Sequence, residues 1–119
     1  MKRIVLAAVL SSALTFTVMK LAGGGPDYVE KTALDNARVT VTDRTMGVGA
    51  ARETHVRATD QVIVFLDDST YDRVDPQTGA IQRQTRKAGE VLWHNKGERA
   101  PKLINRGGKP MRSLVIALK

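Results

Sequence analysis

From Arg38 onward, apolar and polar residues alternate with a period of two. In "RVTVT", Val39 and Val41 share one face and the threonines the other, which is strand grammar. "QVIVFL" is a nearly continuous apolar, β-branched run, the pattern of a strand covered on both sides. "TYDRV" is separated from "IQRQTR" by "DPQTG". Pro76 presets one φ there and Gly79 permits a positive one, so the segment predicts a hairpin turn. Ala88-Gly89 predicts another tight turn. "VLWH", "KLIN" and "SLVIAL" complete the strand-like segments, and Gly107-Gly108 predicts a hairpin turn between the last two. The count is about eight short strands with closely spaced turns, which predicts an antiparallel sandwich or barrel. No segment is long enough for a βαβ crossover helix. Residues 27–37, "DYVEKTALDNA", are polar with weak helical spacing at Tyr28, Leu34 and Ala37, and predict a short helical turn or an arm on the barrel.

The chain begins differently. Lys2 and Arg3 precede the uncharged apolar run Ile4 to Met19, which small residues follow. This is the layout of an export signal, and the run is shorter than the roughly 20 residues of a spanning helix. Ala22 and Gly24 place the expected cut after Gly24, giving a leader over 1–24, an arm over 25–37 and a barrel domain over 38–119. An uncleaved anchor is the alternative, because Lys20 stands close to the cut. Cleavage implies a periplasmic or secreted protein with no stable membrane span. The remaining chain buries roughly two thirds of its unfolded surface, enough for one core. There is no cysteine, so neither disulfides nor thiol chemistry enter.

Loss of Lys2, Arg3 and Lys20 with the leader lowers the formal charge from +7 to +4. The second half is the basic one: residues 83–119 hold ten Lys and Arg against Glu90 and Glu98. These charges are spaced singly, and stacking aromatics are few, so a nucleic-acid surface is not expected. Solvated barrel faces are the plain reading of the basic residues, and an anion-binding face is the other.

Candidate chemistry gathers in "ETHVRATDQVIVFLDD". Glu53 and His55 are two apart, so a continuous strand would project them to one face. Asp60 opens the next strand. One imidazole and two carboxylates form a hard donor set suited to a divalent cation, Mn²⁺, Fe²⁺ or Zn²⁺. Arg57 is the competing partner, since it could neutralise Glu53 or Asp60 without any metal. Asp67-Asp68 reads as a solvated turn.

These residues resemble the motifs of a small single-domain cupin. The first cupin motif runs Gly, five residues, His-x-His, three or four residues, Glu, six residues, Gly. Glu53-Thr54-His55 stands at the His-x-His, Asp60 at the Glu and Asp67 at the closing Gly. The second motif runs Gly, five residues, Pro-x-Gly, two residues, His, three residues, Asn. Gly89 opens it, "EVLWH" fills the five, and Asn95-Lys96-Gly97 stands at Pro-x-Gly. Ala100 falls at the metal-binding histidine, and Asn105 lies one residue beyond the Asn. The resemblance spans about Arg38 to Lys119 and implies an all-β, cupin-like double-stranded β-helix, a jelly-roll barrel.

Two functional expectations follow. The first is a non-catalytic module that binds a small molecule in a pocket of Glu53, His55, Asp60, Val62 and Trp93. The second is a metal-dependent enzyme of the dioxygenase or isomerase type, with Glu53, His55 and Asp60 as ligands. Ala100 favours the first, because an alanine cannot ligate a metal. His94 reads as a rim residue beside Trp93, or as an unusual fourth ligand. A homodimer is kept open as the assembly.

Overall fold

The computed structural model describes residues 27–119, all of whose regular structure is strand. The expected leader over 1–24 lies outside the described residues. Eleven strands follow one another: β1 (Tyr28–Asp35), β2 (Val39–Met46), β3 (Ala51–Arg52), β4 (His55–Val56), β5 (Gln61–Phe65), β6 (Ser69–Val74), β7 (Ile81–Arg86), β8 (Val91–His94), β9 (Arg99–Ala100), β10 (Lys102–Asn105) and β11 (Met111–Leu118). One sheet has the order β1-β2-β11-β5-β8, the second β3-β10-β6-β7, and β4 pairs with β9 alone. Every pairing is antiparallel. The chain crosses repeatedly between the two large sheets, as in a jelly roll. The count of eleven includes β1, which the sequence did not predict as a strand, and three two-residue pieces, β3, β4 and β9.

Both sheets contribute to one core. Ile63 and Phe65 come from β5, Met46 from β2 and Met111 from β11; Tyr71 and Leu103 face them from β6 and β10. The Phe65 and Tyr71 rings stack, with centroids 6.2 Å apart and planes within 5°.

Three local expectations meet the structure in different ways. The turn at Asp75–Gly79 joins β6 to β7 as a hairpin. Asp75 Oδ1 accepts from the backbone N–H of Gln77 and Thr78 at 2.8 and 2.9 Å, and Gly79 has φ of 75°. The Gly107-Gly108 turn, by contrast, is not a hairpin. β10 pairs with β3 and β6 whereas β11 pairs with β2 and β5, so this turn carries the chain from one sheet to the other. Segment 27–37 holds no helical turn: Tyr28 to Asp35 form β1, an edge strand paired to β2 from Tyr28↔Met46 to Asp35↔Thr40. Its apolar residues show no period because most of β1 is exposed on both faces, and the backbone ladder carries most of the pairing, with one side-chain hydrogen bond from Thr40 Oγ1 to Asp35 Oδ1 at 2.9 Å.

Candidate functional site

Between the sheets lies a cavity of about 930 Å³. Strand alternation decides what lines it. Gln61, Ile63 and Phe65 of β5 face inward, as do Val115 and Ala117 of β11. On β2 the inward residues are Thr42 and Arg44, so Val39 and Val41 occupy the outer face. The polar half of the "VTVT" alternation therefore looks into the barrel.

Arginine dominates the lining. Arg44, Arg52, Arg57, Arg73, Arg86 and Arg99 all reach the cavity, with His55 and His94, against the carboxylates of Glu30 and Glu98. Arg44 and Arg57 are 6% and 7% exposed, values rare for a charged side chain. Arg44 Nε donates to Ser113 Oγ at 3.3 Å. Arg52 donates through Nη2 to the carbonyl of Pro101, while its buried Nε has no partner. Burial, reinforced by the charge of Arg44, pushes the Arg52 guanidinium down to about 10. Burial also lowers Arg57, as do the charges of Arg73 and Arg44, and Glu98 opposes the shift from 3.7 Å.

Glu98 is held in place by Asn95, whose backbone N–H and Nδ2 donate to it at 3.0 and 3.2 Å. Its Oε1 also lies 3.7 Å from His94 Nδ1. Burial depresses the His94 pKa, the charge of Arg57 depresses it further, and Glu98 raises it. His94 is therefore neutral at pH 7. The imidazole resonances should titrate with a midpoint below 6.5. Glu98→Gln, which removes the one anion favouring the charged ring, should move that midpoint lower. Arg57→Met should move it higher. Two NMR pH titrations of the variants check both signs, and a rise in Glu98→Gln would contradict this arrangement.

The sequence-predicted residues divide. His55 and Trp93 stand on the cavity wall, Trp93 at its edge, 53% exposed, with Nε1 donating to Asn95 Oδ1 at 2.8 Å. Glu53, Asp60 and Val62 do not line it. The backbone leaves strand conformation at Glu53 and Thr54, between β3 and β4, which pair with different partners. Strand parity between positions 53 and 55 is broken there, and Glu53 turns outward to within 3.6 Å of Lys102 Nζ. Asp60 spends its carboxylate on the neighbouring loop, where Oδ1 accepts from the N–H of Lys96 at 2.8 Å. Val62 has the opposite parity to Gln61 and Ile63 and faces outward. Arg57 pairs with Glu98, not with Glu53 or Asp60.

The donor set does not fit a metal. Among the described residues no three His, Asp, Glu or Cys side chains converge. His55 and His94 share the cavity, yet Ala100, fully buried and paired with His55, puts a methyl group where the cupin motif has its last histidine.

Comparison with solved structures matches this arrangement of sheets. A cupin domain from Bordetella pertussis Tohama I superposes with a TM-score of 0.70 over 79% of this chain and 95% of that one, at 20% identity. The chain has the cupin fold. Two more structures share that fold. The polyketide cyclase RemF of Streptomyces resistomycificus has a TM-score of 0.61 at 20% identity, over 76% of this chain and 64% of its own. A cupin superfamily protein from Desulfitobacterium hafniense DCB-2 has a TM-score of 0.58 at 13% identity, over 77% of each chain. No protein-family model and no curated protein matches the sequence. Within the cupin fold the arginines are what the sequence reading missed. Their signal was present: Arg44 shares the parity of Thr42 and Met46 in β2, but only the structure shows that this face is the inner one.

Proposed function

We propose that the chain is an exported, single-domain cupin that binds a small molecule in its barrel without catalysing a reaction. The observation that carries this reading is the cavity itself. It is large enough for a metabolite-sized ligand, and it combines an apolar wall of Ile63, Phe65, Leu92 and Leu103 with a few convergent polar groups. Ala100 at the last metal position and the outward turn of Glu53 support binding over metal chemistry. Lys2, Arg3 and the run from Ile4 to Met19 support export to the periplasm or medium. Fold alone would not choose among these roles, since cupin-like barrels host many.

The test is native mass spectrometry of untagged protein from an extracytoplasmic fraction, with metal analysis of the same sample. The expected species begins at Gly25 and carries a co-purifying or added small molecule at one per chain. Stoichiometric Mn, Fe or Zn would overturn the non-catalytic reading in favour of a metal enzyme. Full-length chain found only in cytosol would overturn export.

A further inference from the structure

The arginines of the cavity are more than a barrel needs, and their charge is poorly answered. Arg44 and Arg57 are over nine-tenths buried, and Arg52 carries a buried Nε–H with no acceptor. Neither Arg44 nor Arg52 forms an ion pair with any described carboxylate. Arg57 has only the half-exposed Glu98, at 3.7 Å and shared with His94. The other lining carboxylate, Glu30, accepts from the Tyr28 hydroxyl at 2.9 Å. Positive charges gathered in a partly desolvated space repel one another, and a buried charge without a partner is costly. Packing alone does not account for them, because an aliphatic side chain of similar length would fill the same volume without that cost. A guanidinium fork is, however, the best protein match for a planar or tetrahedral oxyanion, which takes paired N–H donors from it.

Resting on the reading that this cavity holds a small molecule, we propose that its ligand is a small organic anion. A carboxylate, phosphate or sulfonate head is bound by Arg44, Arg52 and Arg57, and an apolar body lies against the Phe65, Leu92 and Leu103 wall. The bound oxyanion supplies the acceptor that Arg52 Nε lacks and the counter-charge that Arg44 lacks. Arg73, an exposed residue that also reaches the cavity, adds to the field that draws the anion in.

A matched pair of fluorescent probes tests this. 8-Anilinonaphthalene-1-sulfonate has an anionic head; N-phenyl-1-naphthylamine has the same rings without it. The sulfonate is expected to bind saturably at one per chain and at least tenfold more tightly than the neutral probe. Arg57→Met and, independently, Arg44→Met should each weaken it on the order of ten- to a hundredfold, the effect of losing a hydrogen bond from a charged group. Neither change should alter the neutral probe. Either variant suffices if the other fails to fold. Displacement by benzoate or by phenyl phosphate then tells a carboxylate head from a phosphate one. Equal binding of both probes, indifferent to the arginines, would overturn the anion while leaving a binding cavity. Failure of both probes to bind would overturn the cavity reading as well. A signal abolished by Ile116→Lys, on the outer face of β11, and indifferent to Arg57→Met would place the probe on the outer sheet and overturn the proposal.

Discussion

Asn105→Asp is expected to cost about 4 kcal/mol, the unfavourable end of single substitutions. Asn105 is 1% exposed at the end of β10. Its Nδ2 donates to the carbonyls of Met46, Gly47 and Lys109 at 2.9, 3.2 and 3.0 Å, and its Oδ1 accepts from the N–H of Gly107 at 2.9 Å. This one amide thus joins the end of β2 to the turn that leads into β11. A carboxylate in its place turns an oxygen toward three carbonyl oxygens at a buried position. It must either stay charged against them, without its solvation, or hold a proton at a pH well above its ordinary pKa and offer one O–H to three carbonyls. Asn105→Ala should cost less, about 2 to 3 kcal/mol, because it leaves unsatisfied groups without adding a repelling one. A small domain has about 5–15 kcal/mol in all, so the aspartate variant should lose from about a quarter to most of that stability. Urea melts give the order directly. A loss under about 1 kcal/mol for both variants would mean that water replaces the amide at little cost.

Phe65→Ala should cost about 3–5 kcal/mol, as large-to-small changes of buried aromatics do. Phe65 is 3% exposed, packs in the shared core and stacks on Tyr71 across the two sheets. The site cannot collapse easily, because one side of it is already cavity wall. Removing the ring therefore enlarges an existing space, and the surrounding strands stay fixed by their ladders. Tyr71→Phe keeps the stack and loses only the acceptor for Arg86 Nε, at 3.2 Å, so its cost should be far smaller. Urea midpoints for the two variants measure the difference. Equal losses would assign the stability to the hydroxyl and not to the ring.

The barrel was legible in the sequence because strand alternation and turn chemistry are local. Asp75, Pro76 and Gly79 specify their hairpin through their own side-chain oxygen and backbone angles, whatever surrounds them. β1 was missed for the opposite reason. An exposed edge strand is held mainly by the backbone of its neighbour, and its side chains carry no alternating apolar face to announce that pairing. The Gly107-Gly108 turn was misjudged as a hairpin because a turn signal says that the chain reverses, not which sheet it joins.

The candidate site shows the same division more sharply. The sequence by itself determined that short antiparallel strands would build one barrel around one core, and that Ala100 supplies no metal ligand. Only the tertiary structure decided which side of each strand faces inward. Glu53 and His55 are two apart, but parity holds only along an unbroken strand, and the chain breaks at Glu53 and Thr54. In β2 the alternation separates the valines from the threonines without naming the inner face, and it is Thr42 and Arg44 that point into the barrel. Alternation fixes that two faces differ; it does not fix which one is enclosed. That depends on how distant strands close around the cavity, and a polar interior that can hold an anion inverts the usual assignment of apolar residues to the inside.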